Sequence, residues 1–218
     1  MLQLLLIIPL IGSCLLLLIP ENTIENKYKI KNIALLVSLV NLILSLLLWI
    51  QFDSNTSDYQ FVYEFNKLSF YHFNFGLDSI SLYYVLLTTF ITPVALISNY
   101  DNINKNVKFF VISFLVLETL QIAVFVVLDL FLFYIFFESV LPILFIIIIV
   151  YGSGENRIRS ALLFFLYTLV GSLFMLLAIL QIYSYLGSTD FNLISLSEIS
   201  LESQKVLWLL LSFSKASI

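Results

Sequence analysis

Charge is what this sequence of 218 residues has least of: 10 Lys and Arg and 14 Asp and Glu make up 11% of it, against 61% hydrophobic residues. A soluble domain is about 25% charged and about 45–50% apolar, so a soluble globular fold is excluded. Disorder is excluded too, because disordered chains are poor in apolar residues. Mean hydropathy of +1.05 leaves an integral membrane protein. Cysteine occurs once, at Cys14, which rules out an internal disulfide and a Cys-based metal site. Histidine also occurs once, at His72, and one imidazole makes no metal centre. The formal net charge of -4 offers no basic stripe for nucleic acid. Met1 to Leu10 carries no Lys or Arg, so a secretory signal is missing its positive region. An Arg-rich, Ser-rich transit peptide is absent as well, and the first helix is expected to stay in the mature protein.

What the chain does have is long apolar runs. A spanning helix needs about 20 mostly apolar residues. Six complete spans are predicted, over Leu2–Ile19, Asn32–Gln51, Ser79–Ser98, Val107–Leu128, Leu130–Val150 and Ser160–Leu186. An incomplete seventh begins near Lys205 and reaches the last residue, Ile218. Membrane strands would show segments of about 10 residues alternating in polarity. These runs are apolar on every side, so the fold class is all-α, a polytopic helix bundle. The sequence divides into helices 1–3 (residues 1–106), with a long loop at 52–78, and a second part over 107–218 holding helices 4–6 and the start of helix 7.

Lys27, Lys29, Lys31, Lys105, Lys108, Arg157 and Arg159 fall on loops or helix starts on one side, and only Lys67 and Lys205 on the other. By the positive-inside rule the first side faces inward and the N-terminus outward. The two long loops, Phe52–Asp78 and Gly187–Gln204, then lie on the outer face, and neither holds a Gly-rich phosphate cradle or a metal-ligand cluster. His72 reads most simply as an interfacial loop residue among aromatics. Gly152-Ser-Gly154 is a turn, too short for a nucleotide motif.

In so apolar a chain the informative residues are ionisable ones inside spans, which are costly and often mark proton or ion pathways. Glu138 stands in Tyr134-Ile-Phe-Phe-Glu-Ser-Val-Leu-Pro142, eight residues past Leu130. That is roughly 12 Å along the helix, near the middle of a hydrocarbon core about 30 Å thick. Pro142 cannot donate the N–H that the Glu138 carbonyl would accept, so a kink and a free carbonyl are expected beside the carboxyl. A carboxyl balanced between desolvation and a nearby cation can load and release protons. The plainer reading is a structural Glu hydrogen-bonded to a neighbouring helix. Glu118, eleven residues into the fourth span with Gln121 on the same face, reads equally well as relay or as structural residue. Asp129 and Asp78 read as N-caps. Arg157 and Arg159 satisfy the positive-inside rule, with a lipid headgroup or a neighbouring subunit as the more specific alternative. Gly171 and Ser172 suit close helix packing. Bias toward Phe, Leu, Ile, Tyr and Asn is what an AT-rich organelle genome encodes.

Three stretches carry a resemblance. They are Phe75-Gly-Leu-Asp-Ser-Ile-Ser-Leu-Tyr-Tyr-Val-Leu-Leu-Thr-Thr89, Leu128-Asp-Leu-Phe-Leu-Phe-Tyr-Ile-Phe-Phe-Glu-Ser-Val-Leu-Pro142 and Arg157-Ile-Arg-Ser-Ala-Leu-Leu-Phe-Phe-Leu-Tyr-Thr-Leu-Val-Gly-Ser172. With them the chain, up to about Trp208, resembles the N-terminal portion of chain 4 of mitochondrial NADH:ubiquinone oxidoreductase, respiratory complex I, especially its fungal forms. The resemblance implies an antiporter-like, proton-pumping membrane subunit of about fourteen spans in the inner membrane. Such a subunit sits among the other membrane-arm subunits and the lipid bilayer, with its N-terminus toward the intermembrane space. It implies that the chain binds no flavin, iron–sulfur cluster, nucleotide or metal, and that NADH and ubiquinone are used by the whole complex. The family's key glutamate matches Glu138. Its partner lysine on span 7, set in Phe-x-x-Lys-x-Pro, has a partial match in Phe213-Ser-Lys215-Ala-Ser-Ile218, one residue short and without the proline. The family's later histidine and second inverted repeat are not among these residues, so the complete proton path is not expected from this sequence as it stands. Two rivals share the features: a cation/proton antiporter subunit working without redox chemistry, and an inactive, truncated structural fragment.

Overall fold

The computed structural model describes residues 1–53, 55–56, 58–65, 73–103, 105–197 and 201–216. In chain order its elements are α1 (Leu2–Leu18), α2 (Ile24–Gln51), β1 (Gln60–Phe65), β2 (Phe73–Leu77), α3 (Ser79–Ser98), α4 (Val107–Val126), α5 (Leu130–Tyr151), α6 (Arg157–Leu186), α7 (Phe191–Leu196) and α8 (Leu201–Ala216). Five of these helices (α2, α3, α4, α5 and α6) are long and apolar enough to cross a membrane. α1 is apolar but one turn shorter, at 17 residues. β1 and β2 pair as a two-stranded sheet in the loop predicted between the second and third spans. The aromatic run Gln60-Phe-Val-Tyr-Glu-Phe65 explains it, since Phe, Tyr and Val suit a pleated, half-buried surface.

Apart from α8, which begins at Leu201 rather than near Lys205, and the short α7, which the apolar runs do not announce, the predicted and observed helices agree to within three residues at each end except at the start of α2. The expected span begins at Asn32, whereas the helix begins at Ile24. The Thr23 side chain accepts the Asn26 N–H, and Glu25 lies in the first turn. Both favour a helix N-terminus. Lys27, Lys29 and Lys31 therefore ride on the first turns of α2 rather than in a loop. Apolar span-finding stops at the first lysine and misses the capped polar extension.

The chain folds as two compact units. Unit 1 comprises residues 1–63 and 75–126 and packs α1 to α4 together. Leu2, Leu5, Leu48, Leu77, Leu82, Val85, Ile122 and Val126 form its core. α1 and α2 approach closely at Gly12, where a Cβ would come within 2.7 Å of Val37 Cγ1. The opposite end is tied by lysines and Glu21. The Glu21 carboxylate accepts the Val107 N–H at 2.9 Å and the Lys108 N–H at 3.2 Å, which caps α4 from a distant loop. Lys108 Nζ donates in turn to the Leu17 carbonyl at the end of α1. Lys31 is buried, donates to the Tyr100 carbonyl, and lies over the Tyr28 and Tyr100 rings at 5.9 and 5.1 Å. Such cation–π contacts and snorkelling let a lysine sit within an apolar helix end.

Unit 2 comprises residues 64–74 and 127–218, with α6 packed against both α5 and α8. Ala178, Ile182 and Leu207 are its buried cluster. α6 ends at Gly187, whose φ of 68° is the left-handed conformation that closes a helix at little cost for glycine. The start of α5 is fixed by a polar knot. Asp129 Oδ1 accepts the Phe131 and Leu132 N–H groups, each at 2.9 Å, and Oδ2 accepts the Thr189 hydroxyl at 2.6 Å. Asp129 and Asp190 pair as an antiparallel bridge, and Asn74 Nδ2 donates to Asp190 Oδ2 at 3.2 Å. The expected cap at Asp129 is thus also the tie between the α5 start and the α6–α7 connection. Asp78 likewise accepts from the Ser79 N–H at the start of α3.

Replacing Asp129 with Ala removes two cap bonds and the Thr189 tie together. The expected loss is about 1–2 kcal/mol, read from unfolding of the full-length protein in detergent. Asp129→Asn, which can still cap, should recover more than half of it. Equal losses for both variants would contradict the cap.

Candidate functional site

α5 is 22 residues long, with Asp129 at its start and Pro142 inside it. At 1.5 Å per residue that is about 33 Å, and Glu138 stands about 12 Å from the start. Glu138 is half-buried, and its Oε2 is buried with no hydrogen-bond partner among the described residues. A carboxyl oxygen withdrawn from water without a partner is costly unless it is protonated, hydrated or met by a cation. One turn before it on the same helix stands Tyr134. Ser172, on α6, donates to the Leu169 carbonyl at 2.9 Å. One turn after Glu138, Pro142 lacks the N–H that would close the backbone bond to the Glu138 carbonyl. The carboxyl therefore sits between Tyr134, one turn before it, and a freed carbonyl, on a largely apolar helix.

The chemistry this allows is proton transfer. A mid-helix carboxyl with an orphaned oxygen can take up a proton, and a neighbouring hydroxyl and carbonyl can hold water or pass a proton on. Among the described residues no three His, Cys, Asp or Glu side chains gather where they could hold a metal ion.

Glu118 lies in unit 1, on α4, and is fully buried, at 0% exposure. Its Oε1 accepts from Asn41 Nδ2 of α2 at 2.8 Å. The sequence offered Gln121 as its same-face neighbour, but the contact comes across the helix interface from Asn41, 77 residues away. Nearby, the Ser45 and Thr89 hydroxyls of α2 and α3 meet at 2.7 Å. Sequence reasoning also passed over Tyr134, whose spacing of four before Glu138 was the available signal. Ser172, read as a packing residue, is buried on α6. Gly171, beside it, is buried as close packing requires.

Lys215 stands in the last turn of α8, and its side chain lies outside the described part of the structure. His72 lies outside the described residues altogether. Arg157 and Arg159 are exposed at the start of α6, where Arg157 Nη1 donates to the Gly152 carbonyl at 3.0 Å.

If the Ser45 and Thr89 hydroxyls act as one bond between α2 and α3, Thr89→Val should destabilise the full-length protein by about 1 kcal/mol. Ser45→Ala should then add little to it. A double-mutant cycle measures the coupling, expected at about 0.5–1.5 kcal/mol. Simple additivity would deny the bond.

The model of the family described as NADH:quinone oxidoreductase/Mrp antiporter matches residues 127–217, which include α5 and the Glu138 site. NADH-ubiquinone oxidoreductase chain 4 of Mycosarcoma maydis is 58% identical over 216 residues, covering 99% of this chain and 45% of the relative. The protein of the same name from Arabidopsis thaliana is 47% identical over 207 residues, covering 94% of this chain and 41% of the relative. The chain therefore spans less than half the length of the curated relatives it matches. In a solved structure described as respiratory complex I from Thermus thermophilus with bound NADH, one chain shares the fold with a TM-score of 0.82 at 24% identity. That match covers 99% of this chain and 43% of the other. Along nearly all of its residues, this chain matches NADH-ubiquinone oxidoreductase chain 4 of these organisms.

Proposed function

We propose that this chain forms the N-terminal portion of a proton-translocating membrane subunit of NADH:ubiquinone oxidoreductase, and that Glu138 is its proton relay. The observation that carries the reading is the Glu138 carboxyl, about a third of the way along α5, with a buried and unpartnered Oε2. Redox energy released elsewhere in the complex would change the charge beside Glu138 and so its hold on a proton. Moving one charge across the membrane costs about 2.3 kcal/mol per 100 mV, and nothing in this apolar helix supplies that, so the driving force comes from outside it.

The chain itself would do no redox chemistry and hold no cofactor; NADH and ubiquinone would be used by the whole complex. Its place would be the mitochondrial inner membrane, with the other membrane-arm subunits and the lipid bilayer as partners. In this reading α1 counts as a sixth span and α8 as the beginning of a seventh. The N-terminus faces the intermembrane space, because Lys27, Lys29 and Lys31 in the first turns of α2, Lys105 and Lys108 around the start of α4, and Arg157 and Arg159 at the start of α6 stay inside. Lys215, in the last turn of α8, is the residue that the resemblance offers as partner to Glu138. The matching family also takes in Mrp antiporters, which favours cation/proton antiport without redox chemistry as the second reading. NADH-dependent transport supports the first, and sodium-driven exchange without NADH the second.

In membrane vesicles holding the complete complex, Glu138→Gln should leave assembly intact and cut NADH-driven proton transport at least tenfold. Transport at the unmodified rate would sink the relay assignment.

A further inference from the structure

The Asn41–Glu118 pair in unit 1 has features that the Glu138 reading leaves unused. Both side chains are at 0% exposure. One hydrogen bond joins them, from Asn41 Nδ2 to Glu118 Oε1 at 2.8 Å. The other oxygen of each group, Asn41 Oδ1 and Glu118 Oε2, is also buried, and neither has a partner among the described residues. These two orphans are complementary. An amide and a carboxylate can share only bonds donated by the amide, which leaves both oxygens as acceptors without a donor. An amide and a carboxylic acid share two bonds, one in each direction, because the acid supplies an O–H.

The surroundings point the same way. α4 packs against α1, α2 and α3. α1 carries no Asp, Glu, Lys or Arg, and its Cys14 is exposed. α3 offers only Tyr83 and Tyr84, both exposed. The charged groups of α2 are Glu25, Lys27, Lys29 and Lys31, in its first turns beside Tyr28. Lys31 stands ten residues before Asn41, about 15 Å along the helix, and is occupied at the Tyr100 carbonyl. On α4 itself Lys108 stands ten residues before Glu118, again about 15 Å away, and is occupied at the Leu17 carbonyl. No cation among the described residues is placed to meet a Glu118 carboxylate, and a buried charge without a counter-charge is strongly disfavoured.

We propose that Asn41 and Glu118 form a second buried proton site, in which Glu118 keeps its proton as a carboxylic acid and donates it to Asn41 Oδ1. The acid–amide ring joins α2 to α4 with two neutral hydrogen bonds and needs no water and no cation. It differs in kind from Glu138, whose buried Oε2 has no such amide partner among the described residues and which stands one turn from a proline. The assignment rests on this geometry and stands whether or not Glu138 is a relay.

The test is infrared spectroscopy on the full-length subunit in its membrane complex. The unmodified protein should show a hydrogen-bonded carboxylic-acid carbonyl band that shifts down in D2O and is lost in Glu118→Gln. In Asn41→Ala that band should move up, toward the position of an acid without a partner. If Glu118→Gln does not assemble, the Asn41→Ala comparison decides alone: a moved band supports the ring and an unmoved band overturns it. Loss of carboxylate bands in place of the acid band in Glu118→Gln would also overturn it.

Discussion

A polar atom withdrawn from water inside apolar surroundings must find a partner, and most of what is particular to this fold follows from that. Lipid-facing helices gain little from burying one leucine against another, because lipid tails are as apolar as leucine. Packing and a small number of polar contacts decide where such helices meet. In unit 1 these contacts are Ser45 with Thr89, Asn41 with Glu118, and the Glu21 carboxylate over the start of α4. In unit 2 the contact is the Asp129 knot. Each places a hydrogen-bonding group where the helix backbone or a neighbouring side chain would otherwise be left without one.

The two mid-helix carboxyls are different solutions to the same problem. Glu118 is fully enclosed and has an amide partner able to complete two bonds. Glu138 is half-buried, keeps one oxygen without a partner, and sits one turn from a proline that frees its own carbonyl. The first arrangement is closed and suits holding a proton. The second is open and suits exchanging one.

Much of this was legible in the sequence because charge is so scarce in it. Every ionisable residue in an apolar run stood out, so Glu118 and Glu138 were visible at once, and Asp129 and Asp78 could be read as caps. The helices followed from the length of the runs. What the sequence concealed were contacts between distant segments. Asn41 lies 77 residues from Glu118, and Glu21 lies 86 residues from the N–H it caps. No local spacing rule reaches that far. The start of α2 was missed for another reason: hydropathy treats Lys27, Lys29 and Lys31 as loop, although capping by Thr23 and packing of Lys31 on two tyrosines carry the helix through them.

Glu138, and not Glu118, is the carboxyl proposed to change its proton during turnover. The most direct measurement is the infrared difference spectrum of the membrane complex as NADH is supplied, recorded in water and in D2O. A carboxyl band that appears or vanishes with turnover and is absent from Glu138→Gln is the predicted result. A turnover-dependent carboxyl band that persists in Glu138→Gln and disappears in Glu118→Gln would contradict it.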